Sequence, residues 1–553
     1  MTQALPRTTL FVIVSFLMIY ACFLPVRGVW APDEARYAEV VREMEEGARW
    51  VVPALNGELY GQKPPLFFVA GRIASLGSDG VPEWAVKAPS LVGALGTLLI
   101  VSLLAALYCG RRAAWIAPLF LGTMGKFVWN AQFGQIDMLL TFLVTAQVYL
   151  GLRTAEGMTG RRKGILCVSL LGFAGVLAKG PVGCFLPWLV LTVFLSLRKD
   201  WDGLRRLNLP LIALLVAALS AGWLIAAGLL AGWDYPQALL FKQTVRRALD
   251  PWHHKGKPFY YYFFVLVSQT LPYSLMSVPL AAPLIRGKTW REPGALLPLS
   301  WILCYLVFFS LLPGKRDVYV LPAFPALALL LAFGAERWVD GRFPVRGVRC
   351  ALAVFALLSL AAGGILLMQS RDEFGGVASF LLIGLVLLAA GSAAAWVLTG
   401  RDRISPALLC VPSGIACLLL VGVVPSLSRL DRLKTPRDLI PQVRPLLEEG
   451  GTLAVYPNLI PAVNYYLETL TPVFDESQGK EAAAFLGGDV RNRLLVQDGD
   501  WKGSLPPGIV AHTLRIGGDT HTLYAPGPPG TGERARAGSG SDRGLPRPPP
   551  TPP

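Results

Sequence analysis

A helix that crosses a bilayer needs roughly 20 mostly apolar residues, and about thirteen segments of this chain approach that length. They lie near residues 8–25, 88–109, 112–125, 136–152, 164–178, 181–197, 209–232, 259–281, 296–313, 317–336, 347–368, 377–398 and 405–427. Only 16% of the 553 residues are charged and 53% are hydrophobic, whereas a globular protein carries about a quarter charged residues. The pattern predicts a polytopic α-helical membrane protein. Only Arg7 precedes the first segment and no small-x-small site follows it, so it reads as a retained helix rather than a cleaved signal.

Lysine and arginine accumulate in short cytoplasmic loops, which makes their distribution a test of orientation. With the N-terminus inside, the short inner loops carry twenty such residues, among them Arg111-Arg112, Arg161-Arg162-Lys163 and Arg205-Arg206. The short outer loops carry five: Lys126, Lys179, Lys315, Arg316 and Arg371. The bias predicts a cytoplasmic N-terminus and, with thirteen spans, an external C-terminus. The net charge of +15 is largely this topogenic signal and does not point to nucleic acid. Seven of the eight cysteines fall in apolar segments and Cys350 sits at an inner helix end, so neither a disulfide framework nor a structural zinc site is implied.

Two outer loops, residues 26–87 and 233–258, are too long to be mere connectors. In the first, Tyr37, Val40, Val41 and Met44 recur at helical spacing opposite Glu39, Arg42, Glu43 and Glu46, and Gly47 follows as a C-terminal stop. This predicts an amphipathic helix at the membrane surface; a second is expected from Pro65 to about Leu76. From 428 to 527, short apolar runs at Thr452–Tyr456 and Arg493–Gln497 alternate with possible helices near 437–448 and 461–468, the pattern of a small extracytoplasmic α/β domain. Residues 528–553 are rich in Pro, Gly, Ser and Arg, a composition expected to be disordered. No internal repeat of fixed period is evident.

Under this topology the unusual polar residues all fall outside: Asp33, Glu34, Arg36, Lys63, Asp137, Lys179, Arg246-Arg247, His253-His254, and Lys315-Arg316 with Tyr319. Any chemistry is therefore expected on the outer face. Ionisable residues at membrane depth suggest function, and Asp137 and Lys179 are the clearest, with snorkelling to the interface as the alternative for each. Asp33 can cap the helix it begins, act as a catalytic carboxylate, or do both. Lys63 precedes a proline-opened helix, so a phosphate could lie between its ammonium and the helix end. In Lys242-Gln-Thr-Val-Arg-Arg247 and Lys315-Arg-Asp-Val-Tyr319, cations stand beside hydroxyl or amide donors, a combination that can neutralise phosphate. Tyr319 can equally belong to an interfacial aromatic belt. The adjacent histidines lack a third nearby ligand. No GxGxxG or Walker loop is present, which argues against a nucleotide-activated substrate. Together the residues suit transfer from a lipid phosphate: cations stabilise the leaving phosphate while a carboxylate orients or deprotonates the attacking group.

The runs Asp33-Glu-Ala-Arg-Tyr-Ala-Glu39, Trp50-Val-Val-Pro53, Leu55-Asn-Gly57, Tyr60-x-x-Lys-Pro-Pro65, Asp137-Met138, Lys179-Gly-Pro181, Gln243-Thr-Val-Arg-Arg247 and Lys315-Arg-x-x-Tyr-x-Leu-Pro322 resemble the glycosyltransferase C superfamily. The similarity is to its bacterial branch of lipid A aminoarabinose transferases and protein O-mannosyltransferase relatives, and it spans roughly residues 1–430. The resemblance implies a GT-C membrane fold and an inverting transfer of a sugar from polyprenyl (undecaprenyl) phosphate to lipid A or a related envelope acceptor at the bacterial inner membrane. It makes Asp33, Glu34 and Asp137 the candidate catalytic carboxylates. Lys63, Arg247, Arg246, Tyr319, Lys315 and Arg316 are the candidate ligands of the donor phosphate, with Arg246 and Arg247 not separated by spacing. Arg36, Tyr37, Tyr60 and Lys179 would shape the substrate site. The aminoarabinose transferases usually have Glu immediately before the motif lysine, where this chain has Gln62; losing that acid weighs against a bound divalent metal and against aminoarabinose as the sugar. Two rival expectations are transfer to protein hydroxyls and a lipid-linked sugar transporter or flippase. A transporter should show interrupted helices with midplane charges in two corresponding halves, whereas these polar residues gather at one face.

Overall fold

A computed structural model of the chain describes residues 6–46, 50–240, 257–369, 375–501, 508–517 and 519–526. It divides into two compact units, Met1–Asp431 and Arg432–Pro553. The first is a bundle of apolar helices. Among the described residues eight helices are long and apolar enough to cross a membrane. A ninth crossing is formed if Tyr261–Gln269 and Tyr273–Arg286, bent by 109° where they meet, count as one.

Each of the thirteen expected segments carries helix, but not every one is a span by length and composition. The segment expected at 112–125 closes after Ala113–Leu121, nine residues, or about 14 Å of helix against a hydrocarbon core of about 30 Å. A new helix, Gly125–Gln132, follows it. Arg7–Ala21 and Val182–Leu197 are apolar but short. Runs of apolar residues therefore overcount crossings where a turn interrupts them.

Inside the first outer loop, Asp33–Glu46 and Leu66–Ala74 are helices, separated by the antiparallel pair β1 (Ala54–Leu55) and β2 (Glu58–Leu59). The first helix has the expected apolar and charged sides, with one addition. Its apolar residues are buried as expected, but so are Glu39, Arg42 and Glu43 on the face that should meet water. That face is internally neutralised: Arg42 donates to both oxygens of Glu39 at 2.8 and 2.7 Å and to Glu46 at 2.5 Å. Glu43 accepts the Gly57 N–H at 2.9 Å and the Asn56 N–H, clasping the β1–β2 turn. At that turn Asn56 and Gly57 have φ of 55° and 79°, the left-handed conformation that Asn and Gly tolerate best. The helix is thus tied into the loop on its polar side as well as its apolar one.

The second unit contains a four-stranded sheet in the order β3-β4-β6-β5, with β3 (Leu453–Tyr456), β4 (Arg493–Gln497), β5 (Ile509–Ile516) and β6 (Asp519–Pro526). β3 and β4 are parallel, with Leu453 opposite Arg493; the other neighbours are antiparallel. Alternation along β3 sends Leu453 and Val455 to a core with Val443 and Val463, and Ala454 and Tyr456 to a second core with Ala482 and Leu486. Covered on both faces, the strand reads as one apolar run. The tail 528–553, expected to be disordered, and Gly47 lie outside the described residues.

Candidate active site

The loop that opens the first extramembrane segment is stiffened by a buried charge cluster. Arg27 donates to both oxygens of Glu34, at 2.5 and 3.0 Å, and to the carbonyl of Gln132 at 2.6 Å. Its guanidinium lies 3.7 Å from the Phe133 ring centroid. Glu34 also accepts the backbone N–H groups of Trp30 at 2.9 Å and Gly134 at 2.7 Å. Burial alone would raise the Glu34 carboxyl, but Arg27, Lys87 and the Gly134 N–H outweigh it and hold the group below its ordinary range. With 1% of its surface exposed, Glu34 is enclosed by these partners and is not among the residues that line the cavity beside Asp33. The sequence expectation of a catalytic role for it is corrected to a structural one.

Asp33, one residue earlier, points the other way. Arg316 donates to its carboxylate at 2.8 Å and Arg36 lies at 3.7 Å. Burial pushes this carboxyl up, yet the hydrogen bond and charge of Arg316, with Arg36 and Lys63, lower it below its ordinary value. The group is a persistent carboxylate. Behind it, Tyr37 is buried against Phe67 and Phe68 at 5.6 and 5.4 Å between ring centroids, and burial raises its phenol well above the usual value. Tyr60 is buried against Phe68 at 5.9 Å.

Asp33, Tyr37 and Lys63 line one side of a cavity that opens to solvent. Its other walls come from Lys126, from Gln135, Ile136 and Asp137, from Lys179, and from Arg316 to Tyr319. Lys179 is ion-paired with Asp137, and its ammonium lies 4.6 Å from the Tyr319 ring centroid. It ends the helix Arg161–Lys179, which turns through Gly180 at φ 83° into Val182–Leu197. The two helices touch at Gly175 and Gly183, where a Cβ on either would collide with the other's carbonyl. Small residues there set the place of Lys179.

Lys315 and Arg316 diverge. Arg316 enters the cavity, while Lys315 is buried and donates to the Leu312 carbonyl at 2.7 Å, closing the end of helix Pro293–Leu311. The expectation that Lys315 meets phosphate is corrected accordingly. Arg36 touches Asp33, but neither it nor Tyr60 is among the cavity-lining residues. Arg246, Arg247, His253 and His254 lie outside the described residues.

Sequence reasoning missed a third pair. Lys126 donates to Asp317 at 2.5 Å, and the Gln269 amide donates to the same carboxylate at 3.0 Å. Lys126 was visible as one of the five outer-loop cations, but nothing in its neighbourhood marked it for a site. The lining thus sets four cations, Lys63, Lys126, Lys179 and Arg316, against three carboxylates, Asp33, Asp137 and Asp317. An entering anion meets net positive charge and donors already held in place. Among the described residues, no group of three or more His, Cys, Asp or Glu side chains is placed to hold a metal ion.

Residues 6–236 match the family model for dolichyl-phosphate-mannose-protein mannosyltransferases. The chain is 28% identical to an undecaprenyl phosphate-α-4-amino-4-deoxy-L-arabinose arabinosyl transferase of Shewanella sediminis, over 82% of this chain and 83% of that protein. It is 31% identical to the transferase of the same name from Aeromonas salmonicida, over 66% of this chain and 69% of that one. Its fold is that of ArnT from Cupriavidus metallidurans bound to undecaprenyl phosphate, with a TM-score of 0.78 at 20% identity, covering 93% of this chain and 97% of that one.

Proposed function

This chain belongs to the undecaprenyl phosphate-α-4-amino-4-deoxy-L-arabinose arabinosyl transferase family, and we propose on that footing that it transfers a sugar from undecaprenyl phosphate to lipid A or a related envelope acceptor. The reaction takes place on the outer face of the bacterial inner membrane, with the N-terminus in the cytoplasm, as the charge bias of the short loops supports. One observation carries the reading: a carboxylate, Asp33, is kept ionised beside a cavity whose walls carry an excess of cations.

The acceptor oxygen attacks the anomeric carbon from the side opposite the phosphate. The bond between that carbon and the phosphate oxygen breaks, and undecaprenyl phosphate leaves with the electron pair. Lys63 and Arg316 stabilise the charge that collects on the leaving phosphate, with Lys179 and Tyr319 beside them. Asp33 accepts the proton of a neutral acceptor hydroxyl, or orients an acceptor that is already an anionic phosphate. Asp137 holds Lys179 in the wall of the cavity. The match to the mannosyltransferase model favours one second reading, transfer to a protein hydroxyl.

The test is purified protein in liposomes supplied with labelled undecaprenyl-phosphate sugar and either lipid A or a hydroxyl-bearing peptide. Label on lipid A is expected. Label on the peptide alone would establish the second reading, and movement of the donor across the bilayer without transfer would establish a flippase.

The same assay reads the state of Asp33. The ionised form is the active one, so the rate holds above its pKa and falls as pH drops through it. Because Arg316 lowers that pKa, Arg316→Gln is expected to move the acid limb of the pH–rate profile to higher pH. An acid limb that stays in place would show that the pair does not govern the rate.

A further inference from the structure

The loop of Asp33 is bound to a residue at the far end of the same unit. Asp431, only 2% exposed, stands near the end of helix Val424–Lys434. Its Oδ1 accepts the Gly28 backbone N–H at 2.7 Å and the Trp30 indole N–H at 2.8 Å. Trp30 is otherwise wedged against Trp129 and Phe133, at 6.3 and 5.8 Å between ring centroids. The helix that begins at Asp33 hangs on this short stretch: Ala35 N–H donates to the Trp30 carbonyl at 3.1 Å and Arg36 N–H to the Pro32 carbonyl at 3.4 Å. A π-helical turn, Leu418–Val423, precedes the helix of Asp431. One extra residue in such a turn rotates everything after it by about 100° relative to a continuous α-helix. That rotation sets which face of the last helix meets the loop.

We propose that Asp431 is a positioning residue for the Asp33 carboxylate, acting through Gly28 and Trp30. The inference rests on the reading of Asp33 as the catalytic carboxylate. It assigns a function to a residue 398 positions away in sequence, beyond all the motifs of the resemblance and outside the cavity. A carboxylate displaced by about 1 Å costs on the order of 10²-fold in rate without disturbing substrate binding.

The experiment compares the full-length parent with Asp431→Ala, Asp431→Asn, Asp33→Asn and the double variant Asp33→Asn/Asp431→Ala in the liposome assay, with thermal unfolding alongside. The expected result is that Asp431→Ala lowers kcat by about 10–100-fold at unchanged donor KM, in protein still folded at the assay temperature although its Tm falls because the buried Gly28 and Trp30 donors lose their acceptor. Asp431→Asn, which keeps an oxygen acceptor, should recover most of the loss, and the double variant should be no slower than Asp33→Asn alone. Parental kcat in folded Asp431→Ala would overturn the proposal, as would a loss that appears in KM or one that Asp431→Asn does not recover. If Asp431→Ala does not fold, Trp30→Phe decides, since it removes a donor to Asp431 and keeps a ring: reduced kcat at unchanged KM supports the proposal and a parental rate overturns it. Parental turnover by Asp33→Asn would instead sink the reading of Asp33 itself.

Discussion

Asp33→Asn is expected to abolish nearly all transfer, lowering kcat by about 10²–10⁴-fold, the usual worth of a positioned acid or base. At 1.36 kcal/mol per factor of ten, that is roughly 3–5 kcal/mol of transition-state stabilisation. The substitution is nearly isosteric and its amide oxygen can still accept the Arg316 hydrogen bond, so the cavity should keep its shape. What disappears is the charge. In the parent, Arg316 is half committed to Asp33 at 2.8 Å; with the carboxylate neutralised, Arg316 is free to bind phosphate more tightly. The loss should therefore appear in kcat, with donor KM unchanged or lowered. Lys63→Ala should do the reverse in part, raising donor KM because it removes a cation from the wall that would hold the phosphate. Steady-state transfer in liposomes with both variants folded separates the two. Parental rates in both would show that this cavity is not where the sugar moves.

Glu34→Ala should be the most destabilising single change in the first outer loop, by about 3–5 kcal/mol, the cost of stranding one partner of a buried ion pair. It leaves the Arg27 guanidinium uncompensated and removes the acceptor of the Trp30 and Gly134 N–H groups. Glu34→Gln should cost less, since it keeps an acceptor and the volume. The double replacement Arg27→Met/Glu34→Leu should recover part of the loss, because removing both charges removes the desolvation cost of each. Thermal unfolding in detergent reads all three, and an unchanged Tm for Glu34→Ala would show that the cluster does not hold the loop. The sign with pH follows from the lowered Glu34 carboxyl. Its contribution is fully present above the unfolded value, near 4.5, and is lost as pH falls through the folded one. Acid should therefore loosen this cluster only below the ordinary carboxylate range, after groups such as Glu39, which burial raises to about 7, have been protonated.

Asp33 and Glu34 show what local sequence can and cannot distinguish. Both are acids at the start of one predicted helix, both lie in an outer loop, and nothing in the motif separates them. Their fates part because adjacent helical residues point about 100° apart, one toward Arg316 and the cavity, the other toward Arg27 and the interior. Lys315 and Arg316 part for a different local reason: they lie between helices, Arg316 with an extended backbone (φ −119°, ψ 140°), where successive side chains point to opposite sides. The helix Asp33–Glu46 was legible from its period, but a polar face predicts water only when nothing else covers it. Here Arg42 and the β1–β2 turn use up its carboxylates. Lys126 was missed because a lone cation in a short loop carries no local signal until Asp317 and Gln269 are seen to converge on it.

That the chain spans a membrane many times, and which of its residues are too polar to lie in lipid without cause, were legible in the amino-acid sequence, and its charge bias supplied an expectation for the side on which they gather. These follow from terms summed over long segments or counted over loops, hydrophobic transfer and charge bias, and such terms need no contacts. Only the tertiary structure decided which cation serves which carboxylate. Arg316 meets Asp33 across 283 residues, Lys126 meets Asp317 across 191, and Asp431 meets Gly28 across 403. Coulomb and hydrogen-bond energies depend on a few ångströms, and distances on that scale exist only once the helices have packed.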